Sequence, residues 1–503
     1  MHPEHDHHDA QTPGEPATPA EEKKAGLAYW AARVLEEADK ASQDFAPDPV
    51  HDLRVAIRRC RSMADGFLSV DPDPAWRQMK KLGKGLFASL GELRDTQVMM
   101  EWIEKLSAED DPLRHILLAT LREKEEDLKL VAKEAVDNFD RKRWMSLNAK
   151  LAERATRVPL EGPVFQYLAL ERWHEAHQLH GTALRNRSAV AYHQLRIGIK
   201  RFRYTVENFL PERHERWSRD LRDLQDALGE VHDFDVLWGL VKSHPEVGLE
   251  ERLLWQQTIS AERQKRIAFY RKKMLGKESL WQKWRAELPS GGHLAEAALE
   301  KIRTWANFLD PDDKHAQLVT TLALEIYDGL VRDGVLAESE LSRRILEAAA
   351  VTHDVGRGKN GGHRKRGYRM IRNLKPQVGW SEEYLQCVAI VAHYHRGALP
   401  PSNHPIFAGL AAQRRAELMP LAGVLRLANA FDELHDQRIS AVELKRRNGA
   451  LTIYAKGLSA SVSPFGEQLA QARYLLESCI KLPIVMKPMP PRRPATSHGA
   501  AAG

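Results

Sequence analysis

Residues 51–68 read HDLRVAIRRCRSMADGFL and residues 193–210 read HQLRIGIKRFRYTVENFL; eight of the eighteen positions are identical and most others are conservative. A second pair follows in the same order: LFASLGELRDTQV at 86–98 and LQDALGEVHDFDV at 224–236 share six of thirteen positions. The offsets are 142 and 138 residues, so order and spacing are both kept. Repetition at this length marks a duplicated structural unit. The surrounding sequence is rich in Leu, Ala, Glu, Lys and Arg with few turn clusters, which predicts nearly continuous helix.

The duplication preserves a particular chemistry. His51, Arg54, Arg58 and Arg61 stand at relative positions 0, 3, 7 and 10, one face of an α-helix, and His193, Arg196, Lys200 and Arg203 repeat them. A separate apolar stripe, Leu53, Ile57, Cys60, Ala64 and Phe67, has its counterpart in Leu195, Ile199, Phe202, Val206 and Phe209. The next helix adds Lys80, Lys81 and Lys84 in the first copy, and Arg219 and Arg222 in the second. Like charges at these spacings destabilise an isolated helix by roughly 0.2–0.5 kcal/mol per pair. Their alignment in both copies points to an anionic partner that removes the repulsion. Arg grips phosphate oxygens in pairs and Lys acts as a point charge, so a chain of phosphates suits the rows. The plainer alternative is a solvated face balanced by acids elsewhere, and His51 and His193 read equally well as caps or packing residues. Nucleic acid is not expected as a partner: the rows carry no interleaved aromatic residues for base stacking, and no helix-turn-helix or zinc-finger spacing occurs.

The doubled pattern His51-x-Leu53-Arg54-x-x-x-Arg58-Arg59-x-Arg61, with Leu90-Gly91-x-Leu93-Arg94-Asp95 after it, resembles the CHAD domain, the conserved histidine α-helical domain. The resemblance implies a pair of four-helix bundles that bind inorganic polyphosphate through a basic central channel. Carried onto this sequence it makes His51, Arg54, Arg58, Arg61, His193, Arg196, Lys200, Arg201 and Arg203 candidate ligands, with Arg59, Lys81, Lys84, Arg94, Arg219 and Arg222 beside them. Lys200 stands where the first copy has Arg58, and His232 where it has Arg94.

The C-terminal half carries another signal. His315 is followed by Thr352-His353-Asp354-Val355-Gly356, then His363, the pair His393-x-His395, and Leu425 to Asp432. An adjacent His and Asp at a helix end can both reach one divalent cation, and such a cation can acidify water and offset phosphoryl charge. The segment resembles the HD superfamily, and more closely the helical C-terminal region of exopolyphosphatase/guanosine-pentaphosphate phosphohydrolases. That resemblance implies a cation (Mg, Mn or Fe) held among His315, His353, Asp354, His363, His393, Asn429 and Asp432, with His353, Asp354, Arg357 and Lys359 in catalytic roles. Position 429 is Asn where catalytic HD enzymes carry a ligating Asp, and Asp432 lies three residues on. No Gly-rich phosphate loop like that of the exopolyphosphatases' separate catalytic domain occurs here. A phosphohydrolase, a non-catalytic adaptor of polyphosphate granules, and an HD enzyme acting on guanosine polyphosphates or other nucleotides all stay open.

Across 503 residues the formal net charge is only +6, so a polyanion site must arise by local clustering. No apolar run approaches the roughly 18 residues of a membrane span, the N-terminus lacks a signal-peptide core, and the cysteines Cys60, Cys387 and Cys479 are odd in number and far apart. These features fit a soluble cytoplasmic protein. The expected architecture is mostly all-α: tails at 1–24 and 488–503, a duplicated helical domain at 25–290 with copies near 25–160 and 164–290, and an HD-like helical domain at 293–487. Alternating apolar residues around Asn448-Gly449 predict a small β-hairpin within the latter.

Overall fold

The computed structural model describes residues 26–490 apart from 246, 311, 359–361, 377, 400–403 and 459–463, so the expected N-terminal tail and Lys359 lie outside the described residues. The chain divides after Gly291 into two compact units.

Among the described residues the first unit is built of helices alone. Its first copy comprises α1 (Leu27–Ala41), α2 (Pro47–Phe67), α3 (Pro74–Leu106), α4 (Pro112–Asp137) and α5 (Arg141–Ala155). Its second comprises α6 (Pro163–Asn186), α7 (Ala189–Phe209), α8 (Pro211–Ser243), α9 (Leu249–Met274) and α10 (Leu280–Ala286). The duplication is visible in the lengths: α2 and α7 both have 21 residues, α3 and α8 both 33, and α4 and α9 both 26. Starts are set locally. Proline occupies the first turn of α2, α3, α4, α6 and α8, where its missing N–H has no partner to lose. Asp73, Asp111, Asp140 and Ser188 cap α3, α4, α5 and α7 through their side-chain oxygens. Each copy is thus five helices: in the first, three long ones flanked by two of 15 residues, and in the second, four long ones followed by one of 7.

The copies join through α2 against α7 and α3 against α8. Both apolar stripes are buried. At the crossing of α2 and α7, Phe67, Phe165 and Phe209 pack together with centroids 5.5, 5.4 and 4.1 Å apart, and Trp76 stacks on Phe67. Gly66 lies directly under the Phe209 ring, where a Cβ has no room. Trp102 and Phe234, 4.6 Å apart, sit in a second shared core drawn from α3, α4, α8 and α9. Polar contacts tie the same seam: Arg59 pairs with Glu207, Asn208 donates to Ser62 Oγ at 3.2 Å, and Arg172 pairs with Asp65 at 2.9 Å.

The second unit comprises α11 (Gly291–Leu309), α12 (Asp313–Arg332), α13 (Glu340–Thr352), α14 (His363–Arg372), α15 (Glu382–His393), α16 (Ala412–Phe431), β1 (Ala441–Arg447), β2 (Ala450–Lys456), α17 (Pro464–Ile480) and β3 (Ile484–Pro488). The predicted hairpin is present, with Asn448 and Gly449 both at positive φ. A third strand that the sequence reading did not separate, β3, pairs parallel with β2. It takes Pro488, read from sequence as the start of the tail, into the sheet.

Gly66→Ala tests the joint between the copies. Glycine in a helix interior ordinarily costs about 0.5–1 kcal/mol relative to alanine, and the exposed Gly85 on α3 has open space around it. Gly85→Ala should therefore raise the unfolding midpoint. Gly66→Ala should lower it, by roughly 1–3 kcal/mol of overpacking, when both are measured by chemical denaturation.

Candidate functional site

Between the copies lies a cavity of about 840 Å³ walled by α2, α3, α7 and α8. His51, Arg54, Arg58, Arg61 and Arg94 reach it from one copy, and Arg196, Lys200 and His232 from the other. A smaller cavity of about 250 Å³ shares Arg58 and Arg61 as wall and adds Lys80, Arg172 and Arg201. Among the described residues, Arg54, Arg58, Arg61, Arg196 and Lys200 form no ion pair with a carboxylate, and the Nε atoms of Arg58, Arg61 and Arg196 are buried without a partner.

Aromatic faces support some of these cations. Phe87 lies under Arg54 at 4.4 Å and under Arg61 at 5.0 Å, and Tyr204 lies under Arg58 at 5.3 Å. Such contacts hold a guanidinium without neutralising it. Burial, with Arg196, Arg58 and Arg54 around it, pushes the Lys200 ammonium down to about 7. Burial and neighbouring arginines take Arg54 to about 10, and burial with Arg196 takes His232 to about 4. Asp95, Asp226, Glu230 and Asp233 also line the cavity, and burial lifts Asp233 to about 6. The cleft therefore holds mutually repelling cations, and among the described residues its acids make no salt bridge with Arg54, Arg58, Arg61, Arg196 or Lys200; Glu230 pairs instead with Arg266.

The other expected ligands are placed differently. Arg59 leaves the cavity for Glu207, Arg203 lies 3.7 Å from the same carboxylate, and Arg201 pairs with Glu175 at the smaller cavity. Arg94 lines the main cavity while pairing with Glu101 at 3.0 Å. Lys81, Lys84, Arg219 and Arg222 are exposed and line neither cavity. His193 meets His232, Nδ1 to Nδ1, at 3.3 Å.

In the second unit, helix ends converge. His315 lies in the first turn of α12, His353 and Asp354 follow α13, His363 opens α14, His395 follows α15, and Asp432 and His435 follow α16. The C-termini of α13, α15 and α16 bring partial negative charge to the centre, and the N-termini of α12 and α14 bring partial positive charge. Two of the ends use the same device. The Nδ1–H of His353 donates to Ala350 O at 2.7 Å, and that of His395 to Ala392 O at 2.6 Å. A carbonyl can only accept, so each Nε2 carries the free lone pair. His315 Nδ1 faces Asp432 Oδ2 at 2.8 Å, and its Nε2 lies 3.2 Å from His353 Nε2. Two ring nitrogens so placed can share a cation or a single proton.

Asp354 sits among these groups, Oδ2 3.7 Å from His353 Nε2 and Oδ1 3.6 Å from His395 Nε2; the latter two atoms are buried without a hydrogen-bond partner. Burial alone would raise the Asp354 carboxyl, but His353, His395, Arg357 and Arg396 together hold it well below the usual range. Burial pushes both His353 and His395 down. Two triads have ligand atoms close enough to share one ion: His315, Asp354 and His435, and Asp354, His363 and His395. Orphaned buried atoms, oriented lone pairs and an imidazole-carboxylate donor set all fit a divalent transition metal.

Four of the expected metal residues, His353, Asp432, Asn429 and His393, fall outside these triads; His353 stays beside them, its Nε2 3.7 Å from Asp354 Oδ2. Asp432 orients His315, a supporting rather than ligating position. Asn429 is buried one turn before it. His393 turns its Nδ1 to Arg364 O at 3.2 Å, and its neighbour His395 joins the cluster. Sequence reasoning gave no role to His435. Its signal is position alone, three residues beyond Asp432.

These features define a class: a duplicated helical module with a cationic cleft, joined to a helical domain with a histidine-aspartate centre. Residues 25–242 match the CHAD domain family and residues 300–457 match Ppx/GppA phosphatase, domain III. The chain carries a CHAD domain followed by a domain of the Ppx/GppA domain III type. The crystal structure of the CHAD domain from the plant Ricinus communis is 20% identical, with a TM-score of 0.38, covering 54% of this chain and 91% of that one. Among curated proteins none matches. No helix among the described residues is long and apolar enough to cross a membrane.

An anion in the cleft should restore the proton on Lys200. Affinity for a phosphate polymer should therefore strengthen as pH falls from 8 to 6, with proton uptake visible as buffer-dependent heat in titration calorimetry. Lys200→Met should flatten that dependence above pH 7 and, by removing a buried ammonium, raise Tm at neutral pH.

Proposed function

We propose that the first unit binds inorganic polyphosphate in the cleft and that the second is a metal-dependent phosphohydrolase centre. The observation that carries the first part is the set of five cations, Arg54, Arg58, Arg61, Arg196 and Lys200, that face one cavity without carboxylate partners. A base-free phosphate chain matches them better than a nucleic acid. The two aromatic rings at hand, Phe87 and Tyr204, already lie under arginines, so they are not free stacking platforms. Association with polyphosphate granules would follow from the same affinity.

In the second unit the triad His315, Asp354 and His435, or the triad Asp354, His363 and His395, would hold the cation, with His353 beside Asp354. A divalent ion there supplies Lewis acidity toward water and toward a phosphoryl group. The chain's own part is to fix the imidazole tautomers through Ala350 O, Ala392 O and Asp432, and to offer the Arg357 and Arg396 guanidinium groups to phosphoryl oxygens. Because both units belong to one chain, a polymer held by the first has a raised effective concentration at the second. A second reading, a non-catalytic adaptor, is favoured by Asn429, which replaces a ligating carboxylate with a neutral amide.

Long-chain polyphosphate should bind with a log K against log salt slope of roughly −3 to −4, about −0.7 per phosphate contact for five contacts on a single-stranded polyanion. Charge reversal at Arg54, Arg58, Arg196 and Lys200 together should abolish binding; unchanged affinity would refute the cleft assignment.

With Mn present, phosphate release from polyphosphate should disappear in His353→Ala while the melting transition persists. No release from polyphosphate, pyrophosphate or guanosine polyphosphates with any divalent ion leaves the adaptor.

A further inference from the structure

Each of the two triads in the second unit has an arginine on it. Arg357 donates through NH2 to His435 Nε2 at 2.9 Å, and its NH1 lies 3.4 Å from Asp354 Oδ2. One guanidinium thus bridges two members of the His315, Asp354, His435 triad. Arg396 donates through Nε to His363 Nε2 at 2.9 Å, on the triad that shares Asp354. These are the lone pairs a cation would take.

The placement of His435 is constrained. Its backbone is left-handed at φ 55°, a conformation few non-glycine residues adopt without cause. Asp312 accepts from its Nδ1 at 2.6 Å, and its ring lies 3.9 Å from that of His315. Asp432 Oδ1 accepts the Gln437 N–H at 2.8 Å, tying the turn down just beyond it. The chain therefore holds the His435 Nε2 lone pair toward the centre, where the Arg357 guanidinium receives it.

The two arginines differ in their alternatives. Arg396 has the Glu433 carboxylate at 3.9 Å and can shift toward it. Among the described residues, no carboxylate other than Asp354 pairs with the Arg357 side chain. A divalent cation arriving at His435 and Asp354 takes both of its partners and repels it. The expelled guanidinium is then an uncompensated charge beside a dication, with its paired donors free. An oxyanion answers both, by accepting those donors and by neutralising the excess charge.

From this geometry we propose that Arg357 is an interlock that makes the His315, Asp354, His435 site bind a divalent cation and a phosphate oxyanion together, each tightening the other. The proposal rests on the metal-site reading above and deepens it by naming the co-ligand and the residue that couples the two. Linkage requires the effect to be reciprocal, so it can be read from the metal side alone.

The full chain is titrated with MnCl2 by calorimetry, without and with millimolar inorganic phosphate, alongside Arg357→Gln; thermal melts confirm that the variant folds. In the native chain phosphate should tighten Mn binding by about tenfold, within the usual range for coupled sites. Complexation of Mn by phosphate in solution acts in the opposite direction and cannot imitate this. Arg357→Gln should bind Mn more tightly than the native chain in the absence of phosphate, and should lose the phosphate effect. The cleft of the first unit is intact in that variant, so phosphate bound there cannot account for the difference. Mn affinity in the native chain that is indifferent to phosphate, or coupling that survives in Arg357→Gln, overturns the interlock and leaves the metal reading standing. If native chain and His353→Ala alike bind no Mn, the metal reading falls and takes the interlock with it.

Discussion

The first unit depends on keeping two rows of like charge facing one another across a narrow gap. Arg54 feels Arg58 and Arg196, and Lys200 feels Arg196, Arg58 and Arg54, so the rows act on each other across the copies. Two unit charges about 10 Å apart repel by about 2 kcal/mol at an effective dielectric near 20. What opposes this is apolar. Phe67, Phe165, Phe209, Trp102 and Phe234 are buried where the copies join, each worth about 1.5–3 kcal/mol. Paired rings add about 0.5–1.5 kcal/mol beyond their area. Burial of this aromatic seam opposes the repulsion between the rows.

The second unit meets the opposite difficulty: carboxylate and imidazole groups are buried where helices end. Helix C-termini leave carbonyls without intrahelical partners. In α13 and α15 the histidine one turn later takes one of those carbonyls through Nδ1, which leaves Nε2 directed inward. Capping and ligand orientation are the same bond. Gly356 completes the arrangement, because its backbone packs against His363 O and Gly367 N with no room for a Cβ. That close approach lets the start of α14 lie beside the loop that carries Asp354, and so brings His363 into reach.

How much of this was legible depends on whether the information was local. The duplicated rows lie at helical spacing within single helices, so Arg54, Arg58, Arg61, Arg196 and Lys200 were readable as one face, and the Asn-Gly step announced the hairpin. Arg59 belongs to the same run of basic residues but lies one position round from the row, on the side where Glu207 waits; only packing between the copies reveals that partner. Phe87 and Tyr204 were invisible as supports for guanidinium groups because they come from other helices. In the second unit the order of histidines was legible, but the choice between His393 and His395 was not. It turns on whether the ring falls inside α15 or just beyond it, a boundary of two residues that sequence patterns do not resolve. His435 was missed because its role comes from a left-handed turn after α16, and nothing in a lone histidine beyond a helix announces that.

The two sites leave charge unsatisfied in complementary ways. The cleft has cations for which the neighbouring carboxylates make no salt bridges, although Asp95 and Asp233 stand close enough to lift the depressed Arg196 and Lys200 somewhat. Those acids limit the repulsion in the empty protein without filling the arginines' donors, so a ligand need not displace an ion pair to enter. At the centre the buried Asp354 carboxylate has Arg357 3.4 Å away and feels the charge of Arg396, while the buried Asp432 is taken up by His315. Breaking a buried charge pair is strongly unfavourable unless another charge replaces the lost partner, so entry there must exchange one cation for another. On the proposed reading, binding in the first unit would be addition and binding in the second substitution. A phosphate species would answer both, by meeting the unpaired cations of the cleft and, at the centre, by taking up the arginine a metal would release.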